Sequence, residues 1–136
     1  MTSSKLWNRM YWASTALAAL ALGASGAAQL VRAPAITETL NHLGYPAYFG
    51  RILGVWELLG AAALVVPALS RVREWAYAGM FFTLTGAALS HAASADPAAK
   101  VLVPLALLGV VLLSWMLSPA QPAAFPRNRH ANVSHG

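Results

Sequence analysis

Residues 10–31 read MYWASTALAALALGASGAAQLV, an apolar run that contains no Lys, Arg, Asp or Glu. A helix that crosses a membrane needs about 20 mostly apolar residues. Three further apolar runs follow, at about residues 48–67, 75–93 and 98–117. The sequence therefore predicts an all-α fold, an integral membrane four-helix bundle whose spans are these four runs.

The overall composition favours a membrane protein. Of the 136 residues, 58% are hydrophobic and 10% are charged, whereas soluble globular chains carry roughly 25% charged residues. If the four runs were buried helices of a soluble protein, the chain would therefore have too few charged residues to cover the surface of that protein. The chain has no cysteine, which excludes a disulfide, a thiolate metal site and a dithiol relay of its own.

A cleaved signal peptide is an alternative interpretation of the first run. Basic residues precede it, and small residues occupy positions 23–28 near its end. Its apolar stretch is longer than the roughly 7–15 residues of a signal sequence. We therefore predict a retained span.

The distribution of Lys and Arg predicts the orientation. With the N-terminus inside, the inner side carries six of them, Lys5, Arg9, Arg71, Arg73, Arg127 and Arg129, and the outer side carries three, Arg32, Arg51 and Lys100. The positive-inside rule then predicts that residues 1–9 and the tail 118–136 are both cytoplasmic. The tail is rich in Pro and polar residues, which predicts disorder. Charges placed in this way suit contact with anionic membrane lipid and argue against nucleic acid.

The longest connection lies between the first two runs. It contains Pro34, which suits the first turn of a helix, then ITETLNHL, and Gly44 and Pro46, which suit its end. We predict a short helix that lies at the outer surface. Aromatic rings near the span ends are expected in the headgroup zone, namely Tyr11, Trp12, Tyr48, Trp75, Tyr77 and Trp115.

Stripes of small and polar residues run along three of the spans. They comprise Gly50, Gly54, Glu57 and Ala61 on the second span, Gly79, Thr83, Gly86 and Ser90 on the third, and Ser14, Ala18, Ala21, Ser25 and Arg32 on the first, with Gln29 beside them. Small residues allow close approach of helices in lipid. The stripes are therefore expected to face one another in the core of the bundle.

Glu57 lies near the middle of its span. A carboxylate at that depth costs at least roughly 2.5 kcal/mol on insertion scales, so such residues usually face the interior and have a function. A structural role is the alternative, in which a neutral Glu57 hydrogen-bonds Thr83 or Thr85 across the helix interface. The sequence leaves both interpretations open.

Polar residues near the outer ends of the spans predict a polar mouth above Glu57. The candidate ligand-binding residues are Glu57, His91, Gln29, Arg51 and Asp96, surrounded by Arg32, His42, Tyr45 and Tyr48. A histidine in such a mouth can shuttle protons or hydrogen-bond a quinone carbonyl, and the alternative is an interfacial histidine bonded to backbone or water.

The sequence contains no soluble-type catalytic signature. It has no nucleophile elbow, phosphate loop, dinucleotide fingerprint or HExxH motif. His42, His91 and Asp96 lack the close spacing of metal ligands, so we predict no metal site. No catalytic residue is assigned, and whether the chain is an enzyme stays open.

An ordered set of short motifs resembles the DoxX-like family of small bacterial membrane proteins. The motifs are HLGYP at residues 42–46, ILGVWELLG at 52–60, EWAYAG at 74–79 and SH at 90–91, within a resemblance that covers residues 10–117. The resemblance implies four spans and a bacterial inner-membrane location. The family takes its name from a subunit of a thiosulfate:quinone oxidoreductase, which implies quinone as a cofactor and an oxidoreductase as a partner.

Three functional hypotheses follow. The leading one is an accessory or quinone-interacting subunit of a membrane oxidoreductase system. The alternative is a non-catalytic module that binds or transports a lipid or another small apolar molecule. A stand-alone enzyme that uses Glu57 as an acid or base ranks last, because no second catalytic group is expected at its depth. Both an oxidoreductase partner and a homo-oligomer are compatible with the sequence.

Overall fold

A computed structural model describes residues 2–66 and 68–119, which form five α-helices and no β-strand. The helices are α1 (Thr2–Leu30), α2 (Pro34–His42), α3 (Ala47–Val65), α4 (Ser70–Ala93) and α5 (Ala98–Leu117). The predicted disordered tail lies outside the described residues beyond Pro119.

The four long helices correspond to the four apolar runs, and their ends differ from the predicted ones in places. Helix α1 begins at Thr2, so most of the predicted N-terminal segment is helical, and α4 begins five residues before the predicted span. In the part of the chain that the structure describes, three helical segments are long and apolar enough to cross a membrane, Ser4–Leu30, Ala47–Val65 and Ala98–Leu117. Helix α4 is not among them, because even its uncharged part, residues 75–93, contains Trp, Tyr, Thr, Ser, Gly and His residues that lower its mean hydropathy.

Helix α2 forms as the connection predicted. Pro34 occupies its first turn, and Gly44 follows it with φ +81°, a conformation that glycine adopts without strain. The helix packs onto α3: a Cβ atom added to Gly50 would lie 2.7 Å from Cδ1 of Leu40. The predicted surface helix is therefore part of the packed structure.

The long helices pack in a ring. Helix α1 contacts α3 and α5, and α4 contacts α5 and α3, with the α1–α3 pair the closest and the α3–α4 pair the loosest. The buried centre is apolar and includes Leu22, Leu64 and Val111. Large apolar side chains also cover the outside, including Leu20 (72% exposed) and Phe82 (72% exposed). An exterior of this kind is unsuited to water and suited to lipid.

A buried polar cluster joins α1, α4 and α5 near the end where α4 begins. The Oγ atom of Ser114 lies 2.7 Å from Oγ1 of Thr15 and 2.8 Å from the hydroxyl of Tyr77. Nη1 of Arg73 donates to the hydroxyl of Tyr11 at 3.0 Å, and Arg73 is only 5% exposed. Arg73 therefore cross-links α4 and α1.

The aromatic rings near the helix ends differ in their exposure. Trp75 and Tyr48 are exposed. Tyr11 and Tyr77 are buried, because their hydroxyls bond to the polar cluster. Proximity to a helix end does not distinguish a ring that faces lipid from one that faces a neighbouring helix.

Candidate functional site

Helices α1 and α3 cross at two glycines. A Cβ atom on Gly26 would lie 2.8 Å from the backbone oxygen of Gly54, and one on Gly54 would lie 2.7 Å from the backbone oxygen of Gly26. The two backbones therefore meet directly, which only glycine permits at this distance. The crossing places Gln29 of α1 beside Glu57 of α3.

Gln29 and Ser25 hold the Glu57 carboxylate. Nε2 of Gln29 donates to Oε2 of Glu57 at 2.8 Å and to Oγ of Ser25 at 3.1 Å, and the Ser25 side chain also hydrogen-bonds Glu57. The predicted threonine partner is wrong for Thr85, whose hydroxyl donates to the carbonyl of Phe81 in its own helix. The helix that carries the partners is α1, because the glycine crossing brings α1 closer to Glu57 than α4.

Gln29 retains an unsatisfied acceptor. The residue is only 6% exposed, and its Oε1 atom is buried with no hydrogen-bond partner. A buried carbonyl oxygen without a donor is unusual in folded proteins. Gln29 also lines a cavity.

This cavity, the outer cavity, has a volume of about 460 Å³. Helix α2 covers it with apolar side chains, and α1, α3 and α4 form its walls. Its polar lining includes Glu57, Gln29, His91 and Thr83, among mostly apolar residues. A largely apolar space of this size with a few convergent polar groups is typical of a small-molecule site.

A second cavity, the inner cavity, has a volume of about 380 Å³ and lies between α3 and α4. Leu53, Glu57 and Thr83 line both cavities, so the Glu57 carboxyl lies where the two spaces adjoin. Trp56 and Trp75 line the inner cavity and are 67% and 83% exposed, so the cavity opens at the side of the bundle between α3 and α4.

The glycine stripe of α4 lines these spaces. Gly79 lines the inner cavity and Gly86 the outer one, and a Cβ atom on either would meet nothing within 4 Å. These two glycines therefore border the spaces between α3 and α4 and make no close contact with a neighbouring helix. The α3 stripe packs against α1 at Gly54, and the α4 glycines leave room between α3 and α4.

Asp96 is the centre of a polar cluster at the end of the bundle where α4 ends and α5 begins. Its Oδ2 atom lies 2.7 Å from Nδ1 of His91, and its Oδ1 atom lies 3.0 Å from Nε2 of His42 and 3.4 Å from Nζ of Lys100. The hydrogen bond from His91 is the main reason that the pKa of Asp96 is lowered. Ala95 precedes it with φ +55°, an uncommon conformation for alanine that turns the chain between α4 and α5.

The cluster fastens α2 over the outer cavity. His42 is the last residue of α2, so its contact with Asp96 ties α2 to the α4–α5 turn. The hydroxyl of Tyr45 lies 2.6 Å from Oγ of Ser90 and makes a second tie to α4. These contacts hold α2 across part of the outer cavity, at one end of the helix and just beyond it.

The structure brings together most of the predicted candidates. Gln29, Glu57 and His91 line the outer cavity, and Asp96 contacts His91 at its rim. Arg51 is exposed and lines neither cavity. A shallow depression along α2, lined by Arg32, His42 and four neighbouring residues, is open to solvent. Within residues 2–66 and 68–119, no group of three or more His, Asp or Glu residues is placed to hold a metal ion.

Two structural features of the site are not apparent in the sequence. The first is Gly26, whose backbone contact with α3 places Gln29 against Glu57. The second is the inward face of α2, where Ile36, Leu40 and Leu43 cover the outer cavity. The i, i+4, i+7 spacing of these three residues on a short helix is the signal that indicates a covering role.

The fold and the site define a class: an all-helical protein with helices able to cross a membrane and an internal, mostly apolar cavity. The chain belongs to the DoxX-like family, whose pattern it matches over residues 13–114. No curated protein and no solved structure matches the chain.

Proposed function

We propose that the chain is a four-helix membrane bundle of the bacterial inner membrane, with α1, α3, α4 and α5 as spans and both termini in the cytoplasm. The exposed apolar side chains and the excess of Lys and Arg at the inner ends support this arrangement. Helix α4 is the fourth span. Its polar residues are compatible with this role, because Thr83 and His91 line the cavities between the helices.

The absence of native cysteine allows a direct test of this topology. Single-cysteine variants Glu38→Cys on α2 and Arg71→Cys on α4 place one thiol at each end of the bundle, both at exposed positions. A membrane-impermeant maleimide added to intact cells should label position 38 and reach position 71 only after the membrane is opened. Labelling of position 71 in intact cells would overturn the orientation.

Within this bundle, the proposed function is to bind an apolar molecule with a hydrogen-bonding head, of the quinone class, in the outer and inner cavities. The observation that carries the proposal is the outer cavity, in which Glu57, Gln29 and His91 converge in a mostly apolar lining. A polar head fits beside these three residues, and an apolar tail fits in the inner cavity, which opens sideways towards lipid between Trp56 and Trp75.

The proposed role is that of an accessory subunit of a membrane redox system. The chain has no cysteine, so electrons must come from a partner or a bound cofactor. Among the described residues, no second acid or base hydrogen-bonds Glu57, whose bonds go to Gln29 and Ser25. These features support binding and presentation of a quinone to an oxidoreductase, and membership of the DoxX-like family is consistent with that role.

Native mass spectrometry of the full chain, released from membranes with its bound lipids, tests the proposed ligand. We expect a stoichiometric adduct with the mass of a quinone, and we expect Glu57→Gln to reduce its occupancy. The matched control is Glu38→Gln, which changes an exposed carboxyl on α2 outside both cavities. A bare wild-type chain, or one that carries only bulk phospholipid, would contradict the proposal.

A lipid or another apolar molecule is the alternative ligand. The sideways opening of the inner cavity at exposed Trp56 and Trp75 favours entry from the bilayer and is compatible with a phospholipid chain. The same mass spectra separate the two ligands, because a phospholipid of one defined mass would replace the quinone adduct. An unchanged adduct in Glu57→Gln would exclude a role for that residue in either case.

A further inference from the structure

The boundary between α3 and α4 is held differently from the other boundaries in the ring of long helices. Gln29 and Glu57 join α1 to α3 by a side-chain hydrogen bond. Ser114 of α5 bonds both Thr15 of α1 and Tyr77 of α4. Within residues 2–66 and 68–119, no side-chain hydrogen bond joins α3 to α4, which is also the loosest contact of the ring. This boundary, the α3–α4 seam, can therefore widen without the loss of a hydrogen bond.

Both cavities reach the α3–α4 seam. Trp56 of α3 and Trp75 of α4 line the inner cavity and are largely exposed. Phe82 of α4 lines the outer cavity and is also largely exposed. Each cavity is thus bordered by a ring that also lies on the outside of the bundle. Because that outside faces lipid in the proposed arrangement, the seam is a route between both cavities and the bilayer.

Helix α2 lies across the other route, between the outer cavity and the water beyond it. Its last residue, His42, hydrogen-bonds Asp96, and the hydroxyl of Tyr45 just beyond the helix bonds Ser90. The side chain of Leu40 packs onto α3. Lifting α2 would break both hydrogen bonds and expose the apolar side chains that cover the cavity to water. Exchange through the α3–α4 seam requires neither.

We infer that the ligand is a molecule dissolved in the bilayer, which enters and leaves both cavities through the α3–α4 seam while α2 stays in place. This inference rests on the proposed function and specifies the class of ligand and its route. A long apolar tail can extend from the inner cavity between Trp56 and Trp75 into lipid, so the site takes tails longer than the cavity itself. A water-soluble ligand that arrives beneath α2 is excluded.

The first test uses the full wild-type chain in lipid vesicles and a benzoquinone with a diazirine on its ring. In one probe the tail is a free decyl chain, and in the other the end of the tail is joined to an acyl chain of a phospholipid. The anchored probe cannot leave the bilayer, so its ring reaches the outer cavity only from the side. We expect both probes to label residues of α3 and α4 that line the outer cavity, and excess unlabelled quinone to remove the label.

The two probes separate the inference from the proposed function. Labelling of the outer cavity by the free probe and not by the anchored one would overturn the route through the seam and leave the proposed function standing. Failure of both probes to label the cavity would overturn the proposed function together with the inference.

The second test locks the α3–α4 seam. Trp56→Cys combined with Trp75→Cys gives two exposed thiols in a chain that has no native cysteine, and a bis-maleimide joins them. The readout is the rate at which bound radiolabelled decylbenzoquinone exchanges for the unlabelled compound. We expect exchange to be at least about tenfold slower than in the same variant with each thiol capped separately by a simple maleimide. An unchanged rate would overturn the inference.

A matched lock fixes α2 instead. Leu40→Cys combined with Gly50→Cys places two thiols close enough for a disulfide, because a Cβ atom on Gly50 would lie 2.7 Å from Cδ1 of Leu40. The substitution of Leu40 also removes the atom that this new Cβ would meet. We expect the disulfide form to exchange ligand as fast as the same variant after reduction and capping of its thiols. Slower exchange in the disulfide form would show that α2 opens, and would overturn the inference.

Discussion

Gly54→Ala is expected to disturb the helix crossing on which the site depends. The added Cβ would lie 2.7 Å from the backbone oxygen of Gly26 and 3.0 Å from Cβ of Gln29. Ordinary van der Waals contact begins at 3.4 Å, so the two helices must separate by about 0.7 Å or bend. Overpacking of this kind typically costs about 1–3 kcal/mol.

The assay is the free energy of unfolding in mixed detergent micelles, with Gly109→Ala as the control. Alanine is favoured over glycine inside a helix by about 1 kcal/mol, and this gain applies to both variants. Gly109 lies on α5 with nothing within 4 Å of an added Cβ, so its variant should be neutral or slightly stabilised. We expect Gly54→Ala to be less stable than the control by about 1–3 kcal/mol.

Separation of the helices has a functional consequence as well. Gln29 and Glu57 lie next to the crossing, and their hydrogen bond of 2.8 Å would lengthen. We therefore expect weaker ligand binding in Gly54→Ala than in the Gly109→Ala control. A Gly54→Ala protein as stable as the control, with unchanged binding, would refute the direct backbone contact.

Three further predictions follow from the cavities and the two polar clusters. Gly86→Leu places a side chain into the outer cavity and should weaken ligand binding at least about tenfold, as measured by titration calorimetry, because it occupies the ligand's volume. Tyr11→Phe removes one of two hydrogen bonds to the buried guanidinium of Arg73 and should cost about 1.5–3 kcal/mol of unfolding free energy. Asp96→Asn should speed hydrogen exchange of the α2 amides, because it replaces the carboxylate that His91 and α2 share. Since the pKa of Asp96 is lowered on folding, its stabilising contribution is fully present above about pH 4 and is lost as the pH falls through the lowered pKa.

Each of these variants has a matched control. Gly109→Leu tests whether any leucine on an outer helix face weakens binding, and it should leave the affinity unchanged. Tyr48→Phe removes the hydroxyl of an exposed ring and should leave stability unchanged. A Tyr11→Phe protein as stable as the wild type would contradict the role given to Tyr11. Protection factors of α2 that fall equally in the wild type and in Asp96→Asn between pH 5 and pH 2.5 would contradict the role given to Asp96.

The sequence predicts the helices because their signals are local. Apolar runs of sufficient length indicate spans, and α5 begins and ends where its run does. Pro34 and Gly44 mark α2 by the backbone conformations that each favours. Helix α4 begins before its predicted boundary. A hydropathy pattern treats every arginine as the end of a span, whereas Arg73 is hydrogen-bonded within the bundle.

The site is only partly predictable, because its geometry depends on which helices become neighbours. The cost of a carboxylate in an apolar span identifies Glu57 from sequence alone. The depth of Glu57 in its span indicates the threonines of α4 as hydrogen-bond partners. The partner in the structure is Gln29 of α1, because the glycine crossing brings α1 beside Glu57. Gly54 is closely packed, whereas Gly86 borders open space. A small residue in the sequence is compatible with either environment, and only the arrangement of the neighbouring helices distinguishes them.

The most direct test of the ligand site is photolabelling in native membranes with a quinone analogue that carries a diazirine on its ring. After irradiation, peptide mapping of the full chain should find the label on residues that line the outer cavity, chiefly on α3 near Glu57 and on α4 between Thr83 and His91. An excess of unlabelled ligand, and Gly86→Leu, should each remove it. Label confined to the outward face, such as Leu20 or Val103, and resistant to competition would contradict the existence of the site.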